Sequence, residues 1–233
     1  MSYPPTPLVG AEAQQRQRSF LGQVYLWMTA GLLVTAAVAA YTASAPSVLN
    51  LIYGNPFTIW VLFIAQIGLV IGLSARIDRL APPTAVALFI GYAALNGLTL
   101  SAIFIVYTYT SIAQAFLATA ATFGVMSLYG ATTKRDLSTV GNLLVMALIG
   151  FFIGSIINLF WANSALYWVL TYLGIAVFIG LAAYDTQQIK RLIEQAQDDT
   201  TARRLAIIGA LKLYLDFINL FVLLLRVFGS RDE

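Results

Sequence analysis

The chain of 233 residues has no cysteine and no histidine. Disulfides, thiol catalysis and iron–sulfur clusters are thereby excluded, and so are histidine-ligated haem and the common zinc sites. Any bound metal ion must be a hard cation held by oxygen atoms. A response to pH below neutrality must come from carboxyl groups, because no imidazole is present.

Charged residues are also scarce. They make up 10% of the chain, whereas soluble domains carry about 25%. Hydrophobic residues make up 60%, and the mean hydropathy is +0.82. This is too little polar surface to coat a soluble globule, so the composition predicts an integral membrane protein. The net charge of +3 comes from clusters at the ends of loops, which indicates membrane topology and not nucleic-acid binding.

Seven apolar segments are each long enough to cross a hydrocarbon core of about 30 Å as a helix. They lie at 20–43, 56–75, 83–106, 111–130, 139–161, 164–185 and 205–227. We therefore predict an all-α integral membrane protein with seven transmembrane helices in a single domain, residues 20–228. The polar, proline-rich residues 1–19 are expected to form a mobile cytoplasmic tail, and residues 229–233 a short C-terminal tail.

Basic residues mark every second boundary between these segments. The intervening loops 44–55, 107–110 and 162–163 carry no charge. Ten of the thirteen basic residues thus fall on one side, which places the N-terminus in the cytoplasm by the positive-inside rule. We expect the last segment to cross fully, with the C-terminus outside. A re-entrant last segment, which would return Arg226 and Arg231 to the cytoplasm, is the alternative.

The last segment carries Asp216 near its centre, with Lys212 one helical turn before it. An ionisable group at that depth costs several kcal/mol unless it is paired, hydrated or protonated, so it indicates a functional site. Lys212, Asp216, Asn219 and Arg226 fall along one face of the helix. Because a polar stripe cannot face lipid, we predict that the last helix is central and wrapped by the other six. An internal ion pair between Lys212 and Asp216 is the alternative reading.

Asp185 is the leading candidate for the partner of Asp216. It lies at the end of the sixth segment, within Tyr184-Asp185-Thr186-Gln187. Two buried carboxylates on neighbouring helices can hold a cation or share a proton. Asp185 is near the cytoplasmic end of its segment, however, and Asp216 is about 17 Å into its own. Contact between them requires a shifted or tilted helix, and the sequence leaves that open.

Three strings carry a family resemblance: YDTQ at 184–187, LYLDFINLF at 213–221 and LNGLTLS at 95–101. Over residues 20–230 the chain resembles the Bax inhibitor-1, or transmembrane Bax-inhibitor-motif, family, most closely its bacterial inner-membrane members. The resemblance implies a seven-helix fold with a central last helix, located in the bacterial inner membrane. It also implies a pH-sensitive calcium leak.

In that family a pair of aspartates senses protons and the cation. On this sequence the pair corresponds to Asp185 and Asp216, which the resemblance makes the Ca²⁺-binding and pH-sensing residues. An arginine that engages the aspartates corresponds to Arg76, the expected gating tie. Lys212 departs from the neutral residue expected at its position. Lys212 and Asn219 are the expected modulating residues, and Lys212 should compete with Ca²⁺ for Asp216.

The resulting hypothesis is a calcium leak channel and not an enzyme. With both aspartates ionised, Arg76 bridges them and the cytoplasmic mouth of the channel is closed. Protonation weakens this bridge. Ca²⁺ is the expected ion, with no other cofactor, and the lipid bilayer is the expected surrounding. A non-transporting regulator that binds a membrane protease or another membrane protein is the alternative. An intramembrane aspartyl protease is a weaker one, because the second aspartate lacks a preceding Gly-x-Gly and no Pro-Ala-Leu string occurs.

Overall fold

The structure is a computed structural model that describes residues 7–193, 196 and 198–230, with side chains from residue 15 onward. Every regular element in this part of the chain is helical. A 3₁₀ turn, Ile77–Arg79, follows the third helix. The α-helices are α1 (Pro7–Ala43), α2 (Pro46–Tyr53), α3 (Pro56–Arg76), α4 (Pro82–Leu100), α5 (Ile103–Val106), α6 (Tyr109–Thr132), α7 (Ser138–Trp161), α8 (Ser164–Leu192) and α9 (Asp199–Phe228).

Seven spans of these helices are long and apolar enough to cross a membrane, which confirms the predicted fold class. They are Gln15–Ala43, Pro56–Arg79, Pro82–Val106, Tyr109–Thr132, Ser138–Trp161, Ser164–Leu192 and Asp199–Phe228. Proline at the first position of α2, α3 and α4 fits helix starts, where its missing N–H is not needed. α1 begins at Pro7, so the predicted tail 1–19 overlaps with its first turns, and residues 1–6 lie outside the described part.

The third span is interrupted near its end, which the sequence did not predict. α4 ends at Leu100, and α5 starts at Ile103, after two intervening residues. The hydroxyl of Tyr53, at the end of α2, donates toward the carbonyls of Leu98 (3.3 Å) and Thr99 (3.0 Å) and accepts from the N–H of Ala102 (3.1 Å). These contacts satisfy backbone groups that the break leaves without helical partners.

α9 is the most buried of the spanning helices. Within its most apolar stretch 67% of the residues are buried, compared with 11% for α3 and 6% for α7. It packs mainly against α1, α4, α6 and α8, while α3 packs on α4 and α7 packs on α8. The structure therefore does not confirm that all six other helices wrap the last one, because α3 and α7 form an outer layer.

α9 runs the full height of the bundle. At one end, Arg204 Nη1 donates to the carbonyl of Asp78, in the turn after α3 (2.9 Å). At the other end, the N–H of Ser230 donates to Ser111 Oγ (2.9 Å), and the N–H of Thr108 donates to the carbonyl of Ser230 (3.3 Å). The last helix is thus not re-entrant within the bundle. Which end faces the cytoplasm stays a prediction.

A buried tyrosine fixes the rotation of α9. Tyr214 is fully buried, and its hydroxyl bonds Thr35 Oγ1 of α1 (2.7 Å) and accepts from Asn96 Nδ2 of α4 (2.8 Å). Each residue of a helix advances about 100° around its axis. Asp216, two residues later, therefore points away from α1 and α4 and toward α8.

Candidate functional site: a buried carboxylate pair

Asp185 and Asp216 meet between α8 and α9. Both are buried, with 3% and 5% of their surface exposed. Their carboxyl groups are close enough to interact with each other electrostatically. The proximity that the sequence left open is therefore present. Asp185 lies 7 residues before the end of α8 and Asp216 lies 17 residues after the start of α9, so the two residues reach the same depth because the first turns of α9 extend beyond the end of α8.

The residues on both sides of Asp185 are held firmly against α6 and α7. Thr186 Oγ1 donates to the carbonyl of Ala182 (2.7 Å) and lies 3.2 Å from Ser127 Oγ of α6, within hydrogen-bonding distance. The ring of Tyr184 packs against Gly141 of α7 so closely that any side chain at position 141 would collide with it. The position of the carboxylate therefore depends on small residues in the neighbouring helices.

Gln187 bonds the same stretch of α8 to the loop between α6 and α7. Gln187 Oε1 accepts from the N–H of Leu137 (2.9 Å), and Gln187 Nε2 donates to the carbonyl of Arg135 (2.8 Å). Both partners lie in the loop between α6 and α7. Each residue of the 184–187 string thus has its own contact, and Asp185 is the one that faces α9.

Lys212 pairs with Asp185 and not with Asp216. Its Nζ lies 2.8 Å from Asp185 Oδ1 and 5.5 Å from the centre of the Tyr184 ring. The lysine side chain is 46% exposed, whereas that of Asp185 is 4% exposed. The predicted alternative, an ion pair within α9, is replaced by one that joins α9 to α8, because Lys212 extends across to the neighbouring helix.

Two carboxylate oxygens of the pair have spare bonding capacity. Apart from its ion pair with Lys212, Asp185 Oδ1 has no hydrogen-bond partner in the described part of the chain, and neither has Asp216 Oδ2. A carboxylate only accepts, so a bond between the two groups needs a shared proton. With both groups ionised, one ammonium faces two negative charges, which leaves a net charge of about −1.

Arg76 lies apart from this pair. It is exposed at the end of α3, and among the described residues it makes no ion pair or hydrogen bond with Asp185 or Asp216. The predicted gating tie through Arg76 is thus not formed in this structure. The physical reason is that α3 packs on α4, at a distance from α8, and Lys212 supplies the positive charge in its place.

Asn219 faces a cleft on the other side of Asp216, which combines apolar and polar lining residues and is called the polar cleft. The cleft, with a volume of about 670 Å³, lies between the α3–α4 pair and the α7–α8 pair, and α9 forms its floor. Asn219 Nδ2 donates to the carbonyl of Leu215 (2.8 Å), one turn along the helix from Asp216. Arg226 lies at the far end of the cleft, 5.4 Å from the centre of the Tyr167 ring. Other polar groups that line it are Gln66, Asn96, Thr99, Ser155 and Asn158.

The site offers few ligands for a metal ion. No cluster of three or more acidic side chains occurs among the residues that the structure describes. A cation held by Asp185 and Asp216 would need backbone carbonyls or water to complete the six to eight oxygen ligands typical of Ca²⁺. Such a site suits weak and exchangeable binding.

Sequence reasoning found both aspartates but missed their supports. Ser127 and Gly141 are small residues within apolar helices, and no local pattern distinguishes them from ordinary packing residues. Tyr214 gave a weak signal, since it lies within the string 213–221. Its bonds to Thr35 and Asn96 join residues that are far apart in the chain, and only the fold brings them together.

Known proteins resemble this chain over almost its whole length. Residues 17–233 match the family model described as "Inhibitor of apoptosis-promoting Bax1". The inner membrane protein YbhL of Escherichia coli K12 is 53% identical over 216 residues, which cover 92% of each chain. Uncharacterized proteins of Borreliella burgdorferi and Deinococcus radiodurans are 42% and 41% identical, over 92% of this chain and 93% and 92% of theirs. With the seven spans and the carboxylate pair, these matches establish that the chain is a membrane protein of the Bax inhibitor-1 family.

Proposed function

We propose that this protein is a pH-responsive leak for Ca²⁺ whose control site is the Asp185–Asp216 pair. The observation that carries the proposal is the proximity of two buried carboxylates on different helices, with Lys212 as their only cationic partner among the described residues. Buried carboxylates are costly in a membrane, and such residues are typical of ion and proton pathways.

The charge state of the pair determines what holds α8 to α9. With both groups ionised, the ion pair between Lys212 and Asp185 ties the helices together. One proton can be shared by the two carboxyl groups and holds them together, whereas protonation of both groups removes the ion pair of Asp185 with Lys212 and loosens the contact. Ca²⁺ could bind the same oxygens in place of the proton. Protons and Ca²⁺ are therefore competitors in this mechanism.

The polar cleft supplies one half of the route that a cation takes through the protein. Asn219 lies at its inner part, one turn from Asp216, and amide and hydroxyl groups line its walls. A cation that enters the cleft exchanges water for these oxygens before it reaches the carboxylates. The weak ligand set of the pair favours release over storage, as conduction requires.

The test is Ca²⁺ flux into liposomes that contain the purified full chain, scanned over pH. We expect a flux that changes with pH for the parent protein and a nearly constant flux for Asp216→Asn. Asp78→Asn is the matched control, since Asp78 is exposed in the turn after α3, and it should behave as the parent does. A folded parent protein that conducts no Ca²⁺ at any pH would reject the leak and favour the non-transporting regulator.

A further inference from the structure

A basic cavity lies at the end of the bundle where α6 and α8 finish. It has a volume of about 220 Å³. Three basic side chains, Lys134, Lys190 and Arg191, line it together with Gln17, Thr133 and Gln187. The carboxylate pair is not part of this cavity.

Three side chains of α8 hold the rim of the cavity: Gln187 and Arg191 bond the loop between α6 and α7, and Lys190 bonds the last turn of α6. Gln187 bonds the backbone of this loop on both sides, as described above. Lys190 Nζ donates to the carbonyl of Ala131 (3.0 Å), and Arg191 Nη2 pairs with Asp136 Oδ1 (3.0 Å). A preformed site of this kind loses little conformational entropy when a ligand binds.

The charges around the cavity are only partly balanced. Asp136 neutralises Arg191, and hydrogen bonds from Ser138, aided by Arg191, lower the pKa of Asp136 to about 2, so that it stays ionised. Lys190 uses one of its three donors, and Lys134 is exposed. Neither lysine has a carboxylate partner in the part of the chain that the structure describes. Two ammonium groups thus face a polar cavity and have no counter-ion among the described residues.

The position of the cavity points to a lipid. α6 and α8 are spanning helices, and the cavity lies at their ends, Thr132 and Leu192, where lipid headgroups lie. We propose that this cavity binds the phosphate of an anionic phospholipid. Lysine binds phosphate as a point charge, and basic pockets between membrane helices favour anionic headgroups. A zwitterionic headgroup fits less well, because its own cation would meet the second lysine.

Native mass spectrometry of the full chain tests this proposal. The protein is offered equal amounts of phosphatidylglycerol and phosphatidylcholine with the same acyl chains. We expect retention of phosphatidylglycerol over phosphatidylcholine. Lys134→Gln with Lys190→Gln should reduce this preference roughly tenfold to thirtyfold, the factor for two cations near a membrane surface.

Two further double variants control for charge and for folding. Arg79→Gln with Arg203→Gln removes the same charge from exposed positions outside the cavity, and it should keep the preference. Lys134→Arg with Lys190→Arg keeps both positive charges and should retain the preference for phosphatidylglycerol. If the double glutamine variant does not fold, the single variant Lys134→Gln tests the proposal. Lys134 is exposed, so this variant should fold, and it should reduce the lipid preference severalfold.

Three outcomes would overturn the proposal. The first is an unchanged lipid preference in the double glutamine variant of Lys134 and Lys190. The second is an equal loss of lipid preference in the control variant of Arg79 and Arg203. The third is displacement of the lipid by millimolar glycerol phosphate, which would make the cavity a site for small soluble anions. None of these outcomes depends on Ca²⁺ flux, so this proposal and the leak can fail separately.

Discussion

The two sides of α9 differ in chemistry although they belong to one helix. On one side, apolar grooves of about 480 and 460 Å³ lie between α1 and α6, and no charged side chain lines them. Aromatic rings fill this side: Phe217 meets Phe116 and Phe123 with ring centres 5.5 Å apart in both cases. On the other side lie the carboxylate pair, Lys212 and the polar cleft.

This difference separates stability from function within one helix. Edge-to-face rings and buried apolar surface hold the bundle together without any titratable group. The polar side contains the groups that can bind protons and cations. We therefore expect changes on the apolar side to lower stability and changes on the polar side to alter the pH response.

The largest effect should come from the carboxylate pair. Asp185→Asn and Asp216→Asn should each remove most of the pH dependence of Ca²⁺ flux, and the double variant should add little. Groups that share a proton or a cation act as a unit, so their effects are not additive. The measurement is flux at several pH values and matched protein density. Independent, additive effects would contradict the paired mechanism.

The apolar side should show the opposite behaviour. Phe123 is 3% exposed on α6 and packs against Phe217, so Phe123→Ala should lower the free energy of unfolding by about 3 kcal/mol or more. The pH midpoint of flux in the surviving folded protein should not move. Unfolding in mixed detergent micelles measures the free energy of unfolding, and Ca²⁺ flux into liposomes measures the pH midpoint. A shifted midpoint would show that the two sides are coupled.

A smaller effect is expected at Lys212. Lys212→Ser should keep the fold and raise the pH midpoint of flux by about one unit, because a carboxylate pair without a nearby positive charge binds a proton more readily. Arg76→Ala is the comparison, and we expect little change from it, since Arg76 does not contact the pair here. A Ca²⁺ leak that persists in Arg76→Ala at a pH where the parent protein is closed would support the gating tie through Arg76 that the sequence predicts.

The smallest effect concerns Asp136, outside the membrane spans. Its pKa falls from 3.8 to about 2, chiefly through hydrogen bonds from Ser138. A carboxyl group with a lowered pKa in the folded state stabilises the fold above its unfolded pKa, and this contribution is lost as the pH falls through about 2. Asp136→Asn should therefore slightly lower stability at pH 6 and leave the flux profile unchanged. A chemical unfolding series at pH 6 and pH 3 checks the first expectation.

The sequence predicted the helices better than their arrangement. Six of the seven predicted segments appear as uninterrupted helices, because runs of apolar residues are a local property. The break after Leu100 escaped prediction, since it depends on Tyr53 from another helix. The layered positions of α3 and α7 also escaped it, because apolar helices can face either lipid or protein.

Composition and local pattern alone determined the membrane class and the seven candidate spans, and they singled out Asp185 and Asp216 as candidate site residues. An ionisable residue within an apolar run is visible without any structure, because its cost in a membrane is high wherever its partner lies. Only the tertiary structure decided which cation meets the pair. Lys212 and Arg76 are equally basic in the sequence, but an ion pair depends on distance, and the packing of α8 on α9 brings Lys212 to 2.8 Å from Asp185.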